Sequence, residues 1–179
     1  MAKKKKKDPP PSPVTRLRNR LPWEERWHRP TMQRLTERLA QHHERAFNTI
    51  INRFESLDTV DIDLVWYGPS WRWTIAVSAR PAEADPEGED GGVLFYAICN
   101  PEGPMLVVPM EEPFVQSLPI RKIHKYVRDG VALAKQAVSI HWGDWTPNNQ
   151  TEARHIIDLL ERYHEWLAGT EPAEIEEED

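Results

Sequence analysis

A segment of alternating apolar and polar residues, 60–77, constrains the fold of this chain more than any other part of the sequence. Two runs rich in β-branched and aromatic residues flank Gly68-Pro69-Ser70, a pattern typical of a β-hairpin. A turn at residues 67–70 would place Trp66 opposite Trp71. The apolar side chains of both runs would then share one face: Val60, Ile62, Leu64, Trp66, Trp71, Trp73, Ile75 and Val77. Because a one-residue shift would move two Trp to the other face, this face must be covered by other elements.

The rest of the chain supplies the covering helices and further strands. An apolar stripe at helical spacing predicts a helix over residues 31–57, and residues 93–99 and 105–110 read as the third and fourth strands. A second helix is predicted after Ser117 as far as Val138, with Gly130 in its middle, and a fifth strand at 139–145. Pro109 indicates that the fourth strand ends at an edge or leaves the sheet there. The last helix begins at an N-cap Thr151 and stops at Gly169.

This order predicts an α+β domain with a mostly antiparallel sheet of four to five strands. About three helices cover its Trp-rich face, in the order α-β-β-β-β-α-β-α. Residues 1–20 are expected to form a disordered basic, proline-rich arm, residues 21–168 a single domain, and residues 169–179 a disordered acidic tail. Residues 80–92 read as a solvated acidic loop.

Charge and cysteine content narrow the class of protein. Residues 1–30 hold ten basic and three acidic residues, whereas residues 31–167 hold thirteen basic and twenty acidic ones. The predicted folded body is therefore acidic, which argues against a nucleic-acid platform. The single Cys99 excludes an internal disulfide and multi-cysteine zinc sites, and it is expected to be buried. Without a run of about 20 apolar residues, the chain is expected to be a soluble cytoplasmic protein with no membrane contact.

Metal and cofactor motifs are weak. The pattern Glu-x-x-His occurs three times, and on bundle helices such pairs can bind two metal ions. His155 and His164 are nine residues apart, however, so they lie about half a turn out of phase on one helix. No P-loop, dinucleotide fingerprint, nucleophile elbow or metalloprotease helix is present in the sequence. We therefore expect neither a metal nor a cofactor.

Two regions are candidate sites. At the end of the fifth strand, His141 and Asp144 could act as an acid-base pair beside Trp142 and Trp145. The outward sheet face is predicted to display Tyr67, Arg72 and Thr74 together with acidic side chains. A third feature is a basic patch on the second helix, for which a phosphate-binding role competes with an ordinary solvated helix face: Arg121, Lys122, Lys125 and Arg128.

Three functions follow as hypotheses. The leading one is a non-catalytic module that binds a protein or small ligand through Tyr67, Arg72, Thr74, Trp142 and Trp145. The second is a nucleic-acid-associated protein that uses the basic arm, residues Lys3, Lys4, Lys5, Lys6 and Lys7. The third is an enzyme with an acid-base site at His141 and Asp144, which requires both side chains to reach one cleft.

Overall fold

The computed structural model describes residues 24–80 and 92–169. In chain order the elements are α1 (Met32–Thr36), α2 (Gln41–Glu55), β1 (Val60–Trp66), α3 (Gly68–Trp71), β2 (Trp73–Ala79), β3 (Val93–Ile98), β4 (Met105–Glu111), α4 (Glu112–Ser117), α5 (Lys125–Ala132), β5 (Lys135–Ala137), β6 (Ile140–Trp145) and α6 (Gln150–Leu167). The predicted basic arm, acidic loop and acidic tail lie largely outside the described residues. None of the described helices combines the length and the hydropathy that crossing a membrane requires.

The strands form one six-stranded antiparallel sheet in the order β1-β2-β3-β4-β6-β5. The predicted α+β class is confirmed, and the described residues contain one strand more than the four to five expected. The additional strand is β5, whose three residues pair with β6 at the edge of the sheet. Strands β1 to β4 follow one another as a meander, as short connections favour.

One face of the sheet carries the core. Side chains that share this face in the strand pairing, such as Ile75, Ala97 and Leu106, cluster with buried residues of the helices. Phe54 of α2 meets Phe95 of β3 edge to face, with ring centroids 5.5 Å apart. We call this the helix-covered face and the opposite one the open face.

The hairpin of β1 and β2 keeps the predicted faces but not the predicted pairing. Trp66 lies opposite Trp73 rather than Trp71, and Leu64 lies opposite Ile75. The predicted pairing is wrong by two residues because residues 68–71 form the helical turn α3, which takes Trp71 out of the strand. A shift of two leaves the side-chain alternation unchanged, so the core face of β1 and β2 is as predicted apart from Trp71.

The predicted helix over residues 31–57 is interrupted. It divides into α1 and α2, and the backbone of Ala40 is extended at the start of α2. The Thr36 hydroxyl donates a hydrogen bond to the Gln33 carbonyl oxygen at the end of α1. Such local side-chain bonds compete with continuation of a helix.

The predicted second helix, from Ser117 to Val138, is also wrong. This region contains α4, the separate helix α5 and the strand β5. Helix α5 starts at a side-chain cap, because the Tyr126 N–H donates to Nδ1 of His124 at 3.3 Å. Apolar residues at helical spacing do not reveal this cap, nor that residues 135–137 pair with β6.

Two smaller predictions were tested by the geometry. Pro109 lies beyond the last β3 partner of β4, which is Val107, while β4 pairs with β6 as far as Glu111. Its missing N–H therefore falls where the strand has a neighbour on one side only, as the sequence indicated. The last helix is capped by Asn149, whose side chain accepts from the Glu152 N–H at 2.9 Å, and not by Thr151.

The indole of Trp145 fixes helix α5 on the sheet. It is 3% exposed, and a Cβ placed on Gly130 of α5 would lie 2.1 Å from its Nε1. A Cβ on Gly143 of β6 would lie 2.5 Å from the same ring. The two glycines thus leave the space that the indole fills.

Replacing Gly130 by Ala should destabilise the protein despite the better helix propensity of Ala, which is about 1 kcal/mol. The added methyl overlaps a rigid buried ring, and overpacking of this kind costs about 1–3 kcal/mol. We expect a net loss of about 1 kcal/mol in urea unfolding. Gly103→Ala is the matched control, since nothing lies within 4 Å of its Cβ position. Equal stability of the two variants would contradict the packing described for Trp145.

The β5–β6 connection is strained at Val138. Ala137 pairs with Ile140, so Val138 and Ser139 form a two-residue turn, and Val138 has φ +58° with 96% of its surface exposed. A β-branched residue is unfavourable in this region, which glycine adopts freely.

Val138→Gly should therefore raise the free energy of unfolding, by about 0.5–1 kcal/mol after the entropy of glycine in the unfolded chain is offset. Val138→Ala, which removes the branched side chain but keeps a Cβ, should gain less than half as much. Chemical denaturation of the three proteins measures both values. A glycine variant less stable than the alanine variant would show that the turn is not strained.

Candidate binding site

The open face carries a group of aromatic side chains that contact one another and are only partly buried. Its buried strand residues Ala76, Ile98 and Val107 are absent from the core cluster that the helices join. They are small or aliphatic, and two strands, β3 and β6, carry aromatic residues on the same face, Tyr96 and Trp142. Contiguous apolar surface of this kind makes the open face a candidate binding site.

Four rings make up what we call the aromatic cluster: Tyr67, Trp71, Tyr96 and Trp142. Trp71 lies at its centre, with ring centroids 5.8 Å from Tyr67, 5.2 Å from Tyr96 and 6.2 Å from Trp142. These three contacts are edge to face. Tyr96 and Trp142 are nearly parallel at 6.4 Å. The rings therefore form one continuous surface, of which Tyr67 is 40% exposed.

The hairpin turn is what brings Trp71 to this face. Gly68 has φ +79°, and the Arg72 N–H donates to the Gly68 carbonyl oxygen at 2.8 Å. The Tyr67 N–H in turn donates to the Arg72 carbonyl oxygen at 2.9 Å, which closes the turn. Arg72 has φ +54°, outside the ordinary range for a residue with a side chain, and its guanidinium is ion-paired with Glu24. Local strain of this kind persists only where the surroundings over-determine it.

The predicted binding residues separate into two groups. Tyr67 and Trp142 belong to the aromatic cluster, whereas the Arg72 guanidinium pairs with Glu24 and lines a pocket with Trp66 and Pro69. Thr74 is on the open face but fully buried, and its hydroxyl donates to the Trp71 carbonyl oxygen at 2.9 Å, so it positions the turn instead of meeting a ligand. Trp145 faces the helix-covered side, because three residues along a strand reverse the face. It cannot share a surface with Trp142.

The predicted acid-base pair does not assemble. His141 pairs with Met110 on the helix-covered face, whereas Asp144 pairs with Val107 on the open face. Alternation along β6 puts the two side chains on opposite sides of the sheet, about 10 Å apart along the strand. The cleft that an enzyme with this pair needs is therefore not formed.

Two members of the cluster escaped the sequence analysis. Trp71 was assigned to the wrong face because the turn was taken as a simple four-residue loop. Tyr96 sits in a strand whose residues are apolar throughout, so its face could not be read from alternation. In the structure Tyr96 pairs with Ala76, two residues along β2 from Thr74, which places it on the open face.

The polar groups at the cluster are suited to a ligand with hydrogen-bond acceptors. Among the described residues, neither the Trp71 nor the Trp142 indole N–H has a hydrogen-bond partner. Asp144 is exposed on the open face two residues from Trp142, and within the described part of the chain it takes part in no ion pair. The cluster thus offers two N–H donors and one carboxylate beside an apolar surface.

Burial also affects the tyrosines. Burial raises the pKa of Tyr96 to about 12, and the neighbouring Tyr67 adds to this through its charge and a side-chain hydrogen bond. Burial likewise raises the pKa values of Tyr126 and Tyr163 on other parts of the fold. All three hydroxyls therefore keep their protons well above the pH at which free tyrosine ionises.

Stability should consequently fall as the pH rises from about 10 towards 12. Below pH 10 the folded and unfolded chains hold the same tyrosine protons, but above it the unfolded chain loses them first. Tyr96→Phe should show a smaller fall in unfolding free energy between pH 9 and pH 11 than the unchanged protein. Trp142→Phe, a change in the same cluster without a phenol, should keep the full fall. Identical pH profiles for all three would rule out the burial of the Tyr96 hydroxyl.

The cysteine and the candidate metal ligands do not form a further site in the described part of the chain. Cys99 is buried as predicted, and burial raises the pKa of its thiol to about 12, so it carries no reactive thiolate near neutral pH. Within residues 24–80 and 92–169, no group of three potential metal ligands is close enough to hold an ion. Of the Glu-x-x-His residues, Glu25 and His28 lie 3.5 Å apart, whereas Glu161 contacts Arg53 and His164 contacts Thr59.

Comparisons of this chain with protein-family models, with curated proteins and with solved structures found no match. The function is therefore argued from the geometry of the site.

Proposed function

We propose that this protein is a non-catalytic binding module whose aromatic cluster holds a proline-rich peptide segment preceded by lysines. One observation carries the proposal: four contiguous rings on the open face with two indole N–H groups that lack partners among the described residues. Tyr and Trp give large rigid contact areas at a low cost in side-chain entropy, as recognition surfaces require.

Polyproline II is the peptide conformation that fits these groups. It has no internal hydrogen bonds, so its carbonyl oxygens are free to accept from Trp71 and Trp142. Its three-residue repeat presents proline rings along one side, and aromatic surfaces bind such segments with little loss of peptide entropy. A flexible apolar peptide would lack both advantages.

The charge beside the cluster favours a basic flank. Asp144 is exposed two residues from Trp142 along β6, a separation of about 7 Å. A lysine next to the prolines would pair with this carboxylate. Such a pair at the rim contributes mainly to orientation and association rate.

The chain itself carries a segment of this chemistry. Lys3 to Lys7 are followed by Asp8 and then by Pro9, Pro10, Pro11, Ser12 and Pro13. Glu24, the first described residue, is ion-paired with Arg72, which follows Trp71 of the cluster in sequence. The eleven residues from Pro13 to Glu24 can span up to about 36 Å, so this segment can reach the rings. A partner segment would then compete with the chain's own.

The proposal gives the lysines of the nucleic-acid hypothesis a different role. The nucleic-acid hypothesis rests on Lys3–Lys7, which lie outside the described residues, and in our proposal the same lysines flank the prolines. We propose a reducing compartment, the cytoplasm, with which a single buried and unpaired cysteine is compatible.

A fluorescein-labelled peptide with the sequence of residues 3–14 should bind the full-length protein, measured by anisotropy. Trp142→Ala should weaken binding about 30-fold, since loss of a central aromatic contact costs about 2 kcal/mol. Trp27→Ala is the matched control, because Trp27 is 84% exposed and not part of the cluster. It should bind the peptide as the unchanged protein does.

Competition between the added peptide and the chain's own proline-rich segment gives a second test. Replacing Pro10 and Pro13 by Ala in the full-length protein should tighten binding of the added peptide, as the internal competitor is weakened. A peptide with alanine at all four proline positions should not bind. Equal binding of both peptides, or an equal loss in the Trp27 and Trp142 variants, would refute recognition of proline by the cluster. Binding that labelled RNA displaces and that Trp142→Ala leaves unchanged would favour the nucleic-acid hypothesis instead.

A further inference from the structure

A cavity in the helical layer is separate from the aromatic cluster. It has a volume of about 370 Å³ and lies between the start of α5 and the outer part of α6. Its lining is formed by Pro119, Lys122, Ile123, His124, His155, Asp158, Leu159 and Arg162. Cavities of this size hold small molecules.

The charge of this cavity is mostly positive. Lys122 and Arg162 line it against a single carboxylate, that of Asp158. The carboxylate of Asp158 is paired with His155, whose Nδ1 lies 3.9 Å from its Oδ2. Among the described residues, Arg162 takes part in no ion pair or hydrogen bond, although it is half-buried. The five N–H donors of this guanidinium are therefore available to an anion in the cavity.

The two imidazoles form one wall of the cavity. The rings of His124 and His155 are stacked, with centroids 3.8 Å apart and planes 6° from parallel. Because Nδ1 of His124 accepts the Tyr126 N–H, the proton of a neutral His124 is on Nε2. That N–H is an additional donor.

Helix α5 contributes a further positive potential. His124 is its N-cap, so the cavity is next to the end at which backbone N–H groups point outwards. Helix N-termini favour anions for this reason. The N-terminus of α5, the Arg162 guanidinium and the Lys122 ammonium group thus all add positive potential to one cavity.

From these observations we propose that the cavity binds a small-molecule phosphate monoester. A phosphate dianion supplies several strong acceptors, and the planar fork of Arg162 binds two of them together. Lys122 and Nε2 of His124 serve the remaining oxygens. A single carboxylate has too few acceptors to engage all of these donors. The organic part of the ligand lies against Ile123 and Leu159.

Inorganic phosphate is the probe, added to the full-length protein at constant ionic strength. The imidazole proton resonances of His124 and His155, assigned with single His→Gln variants, should shift and saturate in the millimolar range. Arg162→Gln should weaken the binding at least tenfold. Arg154→Gln, which removes a charge from an exposed residue of the same helix that does not line the cavity, should leave it unchanged. Circular dichroism and thermal unfolding show that both variants are folded.

The phosphate proposal requires that the shift saturates and that it depends on Arg162. Absence of a saturable shift up to about 20 mM phosphate, well above the range in which small anions occupy built sites, would overturn the proposal. Equal weakening in the two arginine variants would also overturn it, since general charge would then explain the shift. Acetate at the same ionic strength should produce no saturable shift, and a shift equal to that of phosphate would remove the assignment to phosphate.

Discussion

Alternation of side chains along the strands is the constraint on which this structure depends. In each strand, successive side chains point to opposite faces of the sheet. The helices cover one of these faces, and the same period decides which residues enter the core and which remain on the open face. Strand β6 shows the effect most directly: Gly143 and Trp145 meet the helical layer, and Trp142 and Asp144 face the other way. The same four residues could not form one site in any register.

The open face is protected by its own aromatic side chains. Thr74, Ala76 and Val107 are buried there, yet they do not belong to the core cluster that the helices join. Rings from the hairpin turn, from β3 and from β6 converge above this part of the sheet. These rings are only partly buried, so a partner that covers them would bury further apolar surface. Binding of a partner here would therefore bury apolar surface that the fold alone leaves in contact with water.

The sequence was sufficient to predict the class of fold and the faces of the first hairpin. A pairing error of two residues leaves each side chain on the same face of the sheet. The core side of β1 and β2 was therefore predicted correctly although Trp66 pairs with Trp73. The error came from α3, a four-residue helical turn that strand periodicity does not register. The breaks at Ala40 and around His124 were missed for a related reason, because capping contacts depend on which side chain meets which backbone group. Tyr96 was missed because a strand of apolar residues carries no readable period.

The two candidate sites are supported by a common element. Helix α5 carries His124 at its start, and Gly130 in its middle lies against Trp145. Trp145 belongs to β6, the strand that presents Trp142 to the opposite face. A shift of α5 towards the sheet is opposed by a buried indole that has no free space at Gly130 or Gly143. The packing of Trp145 against Gly130 and Gly143 therefore holds the cavity and the aromatic cluster in a fixed relation.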